Sequence, residues 1–184
     1  MEEWDPGLAD HAGRVAAHAE AIAVRLGWTS TQLDTLRLGA VLHDVGKASV
    51  RDEVLSKPGA LDPDELAEIR AHPVEGLWLI VGVPELAPAL PYVLFHHERW
   101  DGNGYPTRRS GTDIPIEGRI LAVADAFDAM TTDRPYRSAM SLDSAVDELK
   151  RGAGSQFDPE VAGALIEAVE SGVHQAVPAP VAVA

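Results

Sequence analysis

The chain has 184 residues and no cysteine, so it can bury a core without disulfides, and any metal it binds must be held by histidine, carboxylate or water. Hydrophobic residues make up 46% and charged residues 24%, which fits a folded protein and excludes a disordered one. A formal net charge of −14 argues against a surface for duplex DNA, RNA or anionic membrane, since each needs a cationic footprint.

The start, "MEEWDPGLAD", lacks the basic and apolar regions of a secretory signal. From about Leu8 to Leu26, Val15, Ala19, Ile22 and Leu26 recur at three- and four-residue steps, which predicts an amphipathic helix ended by Gly27. Ser30 or Thr31 is expected to cap a second, running through Leu33, Leu36, Leu38, Val41 and Leu42 toward His43. In "SKPGALDPDE", Asp62 reads as an N-cap with Pro63 at the first helical position and Glu65 completing the box. That helix is expected to reach His72 and stop before Pro73, with another beginning near Val74 and a further one spanning roughly Pro84 to His97.

The most apolar stretch, "GLWLIVGVPELAPALPYVLF", is broken by Pro84, Glu85, Pro88 and Pro91, so it reads as interrupted helices rather than a membrane span. A soluble, cytoplasmic protein is expected. After a Gly-rich loop, "IPIEGRILAVADAFDAMTTD" predicts a long apolar helix, and Ser141 and Asp158 each cap one more. The tail 173–184 carries Pro and Ala without helical spacing and is expected to be disordered. With no repeats, no dividing linker and no alternating strand pattern, the expectation is one all-α domain over residues 1–172.

Four segments set costly polar groups on or beside apolar helical stretches: "LHDVGK", "AHP", "FHHE" and "VADAFDAM". His43 and Asp44 follow "LGAVL", and Lys47, four residues on, is expected on the face of His43. A histidine and an aspartate at a helix end are equally a capped terminus or metal ligands. His72 precedes a proline, where a histidine commonly ends a helix. His96 and His97, about 100° apart on a helix, could serve adjacent metals or edges of one cluster, or one could pack while the other is exposed. Asp125 within "ILAVADAFDAM" calls for a cation, and Asp128 one turn on is either an acceptor that orients a ligand histidine or a salt-bridge partner. Together these nitrogen and oxygen donors point to a two-metal hydrolytic centre, which would also reverse the acidic field locally.

These segments, with "HHERWDGNGYP", "SGTDIPIEGRI" and "VADAFDAMTTDRPYR" in this order, resemble the HD-GYP branch of the HD phosphohydrolases, a helical-bundle fold. The resemblance covers nearly the whole chain. It implies that His43, Asp44, His72, His96, His97 and Asp125 bind metals and that His11 matches the first-helix histidine that often joins them. It implies Lys47, Arg134 and Arg137 as phosphate contacts, Asp44 and Lys47 as the catalytic pair, and iron or manganese as the metal. The implied activity is hydrolysis of cyclic di-GMP to pGpG or GMP, with diguanylate cyclases or a separate regulatory protein as protein partners. A module that binds the nucleotide or its signalling partners with little turnover, and a phosphohydrolase for another nucleotide, are the alternatives.

Members that bind a third metal often carry Glu four residues before the first-helix histidine, where this chain has Gly7, so two metals are expected. His18 is read as packing and His174 as exposed. Within the loop, Gly102 and Gly104 are expected to supply backbone angles closed to other residues, Pro106 to stiffen the exit, and Tyr105 to pack the loop or to contact a guanine or a partner protein rather than hold metal.

Overall fold

A computed structural model describes residues 6–133 and 138–172. Arg134 and Arg137, the tail 173–184 and with it His174 lie outside the described residues. The described residues form eight α-helices: α1 (Pro6–Arg25), α2 (Ser30–Leu42), α3 (Asp52–Leu55), α4 (Pro63–Ile80), α5 (Leu90–Phe95), α6 (Ile116–Thr131), α7 (Leu142–Gly152) and α8 (Pro159–Glu170). The β pairing among them is limited to an isolated Ala153–Phe157 bridge, as the all-α expectation requires. No helix among them is long and apolar enough to cross a membrane.

One core joins α1, α2, α5, α6, α7 and α8 through Val15, Ile22, Leu36, Tyr92, Phe127 and Leu165, with others, all essentially inaccessible to water. Burying each such side chain contributes about 1.5–3 kcal/mol. Gly27, at φ 76°, ends α1 as expected, and its N–H returns to the Val24 carbonyl. His18 on α1 meets Phe127 edge to face at 5.0 Å between ring centres.

Three boundaries differ from expectation. Thr29 caps α2, in place of Ser30 or Thr31, because its spacing to Gln32 completes a capping box. The stretch from Pro84 to His97 divides into a 3₁₀ turn (Pro84–Ala89) and α5, since Pro88 withholds an N–H while Pro91 falls in the first turn of α5, where none is needed. Most consequential, α4 does not stop before Pro73 but runs through it to Ile80. Proline leaves the Ile69 carbonyl without its helical donor, and the His72 ring supplies one instead, Nδ1 lying 2.7 Å from that oxygen. Ser141 and Asp158 cap α7 and α8 as expected.

Gly46 decides how close the turn after α2 comes to α4. A Cβ there would sit 1.9 Å from the His72 carbonyl oxygen and 2.5 Å from the Gly76 nitrogen, so only glycine fits. That contact carries Asp44 onto His72.

Candidate metal centre

His43 and His96 are delivered by helix ends, and His72 and His11 from within α4 and α1. His43 is the C-cap of α2 and His96 that of α5, and each ring turns back on its own helix. His43 Nδ1 donates to the Ala40 carbonyl at 2.7 Å, and His96 Nδ1 to the Val93 carbonyl at 2.9 Å. These carbonyls belong to final turns, where helical donors run out. With His72 bonded to Ile69 in the same way, all three rings have Nδ1 committed and Nε2 left as a lone pair. His11, on α1, uses a side chain for that purpose: its Nδ1 lies 2.7 Å from Asp128 Oδ2. Asp128 makes both contacts that the sequence left as alternatives, one with the His11 ring and one an ion pair with Arg14, whose Nε lies 2.5 Å away.

The free nitrogens converge in two groups. Ligand atoms of Asp44, His72, His96 and His97 all lie within 4.8 Å of one another, and so do those of His11, His43 and Asp125. The histidine doublet thus serves one cluster rather than two. Asp44 stands between the groups. Its Oδ1 is 3.3 Å from His72 Nε2 and 3.8 Å from His96 Nε2, while its Oδ2 is 3.4 Å from His43 Nε2 and 2.5 Å from Lys47 Nζ. Lys47 does not share a helical face with His43, because α2 ends at Leu42; it lies in a 3₁₀ turn (Val45–Ser49) and reaches Asp44 instead.

The electrostatics suit a cation. His72 and His96 point their Nε2 atoms at each other across 3.2 Å with both Nδ1 hydrogens committed elsewhere, so two lone pairs face one another. Burial, reinforced by His97 and His43, pushes His96 well below the usual imidazole range, so it does not take a proton to relieve that contact. His97 is pushed down to about 3, first by burial and then by His72. Burial opposes the charged form of His43 too, but the carboxylates of Asp44 and Asp125 prevail and raise it. Asp44 is held far below the usual carboxylate range because the proximity of the His43 and His72 imidazoles and of Lys47 outweighs burial. His43 Nε2 and Asp44 Oδ1 are buried without hydrogen-bond partners. Orphaned acceptors among converging imidazoles fit a divalent first-row metal, whose positive charge would satisfy them together.

The loop after His97 is tied back to it. Tyr105 N–H donates to the His97 carbonyl at 3.2 Å, and the Tyr105 ring stacks on His97 with centres 4.8 Å apart. Gly102, at φ 79°, supplies the left-handed angle expected of it. Gly104 is required for a different reason than expected: a Cβ there would meet the Arg99 nitrogen at 2.4 Å and Glu98 Cα at 2.6 Å. Glu98, Arg14 and Arg70 are site-region residues that sequence reasoning passed over. Glu98, 3% exposed, accepts from Thr107 N–H, Thr107 Oγ1 and Arg108 N–H and so pins the loop. Its signal was a carboxylate immediately after two histidines and an apolar helix. Arg14 lies three residues after His11, which puts both on the face that meets Asp128.

A family model described as an HD domain matches residues 2–161. The chain belongs to the HD domain family. Among curated HD domain relatives, the cyclic di-GMP phosphodiesterase response regulator RpfG of Xanthomonas campestris is 38% identical over 90% of this chain and 44% of its own length. A cyclic di-GMP phosphodiesterase of Thermotoga maritima is 37% identical over 85% of this chain and 43% of its own. A 3′3′-cGAMP-specific phosphodiesterase of Vibrio cholerae is 37% identical over 85% of this chain and 30% of its own. The chain thus spans less than half the length of these relatives. Among solved structures, the HD-GYP protein Bd1817 of Bdellovibrio bacteriovorus shares the HD domain fold at TM-score 0.72 and 22% identity, covering 92% of this chain and 55% of that one.

Asp128→Asn is expected to lower metal affinity or rate by about 10–100-fold, the usual effect of losing an outer partner of a ligand histidine. Metal titration followed by calorimetry checks it; unchanged affinity and rate would remove Asp128 from the centre.

Proposed function

We propose that residues 1–172 form a metal-dependent phosphodiesterase that hydrolyses cyclic di-GMP to pGpG or GMP in the cytoplasm. What supports this above all is Asp44, whose two oxygens face two separate groups of potential ligands. The activities for which the relatives are named support the substrate class.

In this reading His72, His96 and His97 with Asp44 hold one metal, and His11, His43 and Asp125 with Asp44 hold a second, iron or manganese in each case. Bound metals of this kind act as Lewis acids and make hydroxide available near neutral pH. The chain's own residues do the rest. Three backbone carbonyls and Asp128 fix the imidazole orientations, so the donor atoms need no rearrangement. Lys47, anchored on Asp44, brings positive charge to the scissile phosphate, and Arg134 and Arg137 add phosphate donors. Water adds across one phosphodiester: a P–O bond forms, the P–O3′ bond breaks, and the released 3′-oxygen leaves as a hydroxyl.

Protein purified anaerobically, loaded with manganese or iron and incubated with cyclic di-GMP, is expected to yield pGpG or GMP on chromatography. Intact substrate after loading is verified would reject the activity. Because some relatives are named for 3′3′-cGAMP, the hybrid dinucleotide is the second reading. A panel of cyclic dinucleotides compared as kcat/KM decides between them.

A further inference from the structure

Beside the ligand cluster, Arg70 and Arg108 flank a cavity of about 260 Å³ completed by Gly102, Asn103, Gly104 and Tyr105. Tyr105 is a wall common to both places. Its ring stacks on His97 at 4.8 Å, and Arg70 Cζ lies 5.5 Å from its centre, so the cavity is one aromatic ring away from the metal ligands.

The described arginines of this chain fall into those paired with a carboxylate, those such as Arg25 and Arg109 that bond backbone carbonyls, and the two that line this cavity. Arg14, Arg37, Arg51, Arg99, Arg119 and Arg151 each sit on a carboxylate. Arg70 and Arg108 make no ion pair among the described residues, which leaves both guanidinium groups available to an incoming anion. Arg108 also holds a left-handed φ of 56°, a conformation that favours glycine. The buried Glu98 carboxylate keeps it there by accepting the Arg108 N–H and both donors of Thr107. Arg108 is therefore set by the loop's anchor, and Arg70 by α4 and the Tyr105 face.

Guanidinium forks match phosphate oxygens in geometry and charge. A cyclic dinucleotide has two phosphodiesters, and ring closure prevents the second from moving far when the first is at the metal ligands. The volume is below the roughly 300–1,000 Å³ of pockets that enclose whole ligands, so it suits part of one. Resting on the hydrolase reading above, we infer that Arg70 and Arg108 form a second anion subsite that holds the phosphodiester not being cut and thereby selects cyclic dinucleotides over simple diesters.

The test compares cyclic di-GMP with bis(p-nitrophenyl) phosphate, a diester with a single phosphate. Arg70→Gln and Arg108→Gln are each expected to lower the ratio of kcat/KM values, dinucleotide over simple diester, by about tenfold. In parallel, calorimetry on the metal-loaded protein with a slowly hydrolysed phosphorothioate analogue of cyclic di-GMP reads binding apart from turnover. Arg70→Gln and Arg108→Gln are each expected to weaken Kd by about tenfold. If both the ratio and Kd ignore the two arginines, the subsite is wrong while hydrolysis stands. If the native chain cuts neither diester but Kd still depends on Arg70, the hydrolase reading falls and the subsite stands.

Discussion

Replacing Asp44 by asparagine is expected to abolish turnover and bound metal together. The carboxylate is the contact shared by the two ligand groups, with one oxygen toward His72 and His96 and the other toward His43 and Lys47. Asparagine keeps the size but removes the charge and turns one oxygen into a donor that cannot face a cation. Losing only an outer partner of a ligand commonly costs about 10–100-fold, so the loss here is expected to be at least about 100-fold in rate. Metal content by mass spectrometry should fall in step with rate. The fold should persist, because the substituted side chain is isosteric and Asp44 is not part of the main hydrophobic core. A variant that kept its metal and its full rate would remove Asp44 from the centre.

Gly46→Ala is expected to do similar damage without touching a ligand. The added methyl would meet the His72 carbonyl oxygen at 1.9 Å and the Gly76 nitrogen at 2.5 Å, both backbone atoms that no rotamer change can move. Forced overpacking usually costs about 1–3 kcal/mol, and for a chain of this size each kcal/mol lowers Tm by about 2–4 °C. Relief requires the turn carrying Asp44 to lift from α4, which separates Asp44 from His72. Calorimetric melting should therefore show a lower Tm, and metal titration a weaker affinity. Wild-type values in both would mean that the turn tolerates a side chain and that Gly46 has no part in aligning the site.

Much of this arrangement was legible in the sequence, and the failures have identifiable physical causes. Helix periods and caps gave α1, α4's start, α6, α7 and α8, because those signals are local. Pro73 misled because its usual cost is a carbonyl left without a donor, and nothing local indicates that the preceding histidine ring supplies one. Lys47 was assigned to the face of His43 on the assumption that the helix continued, whereas tight contact with α4 at Gly46 favours a turn there. The six histidine and aspartate positions could be picked out because polar groups beside apolar runs are costly. Their division into two groups meeting at Asp44 depends on contacts between α1, α2, α4, α5 and α6, which no spacing encodes. Arg70 went unnoticed for the same reason: it acquires a role only when the loop carries Tyr105 across to α4.

Three of the candidate ligand histidines are oriented by backbone carbonyls three residues earlier in their own chain, at Ala40, Ile69 and Val93. A carbonyl persists whatever side chain occupies its position, so no single substitution at those residues deletes the acceptor or changes its chemical type. The basicity of these three rings is thereby protected from mutational drift. His11 is different, because its acceptor is the side chain of Asp128. A lineage adjusting the affinity or metal preference of this centre one substitution at a time, with every ligand retained, would find its readiest handle there, on the group served by α1 and α6.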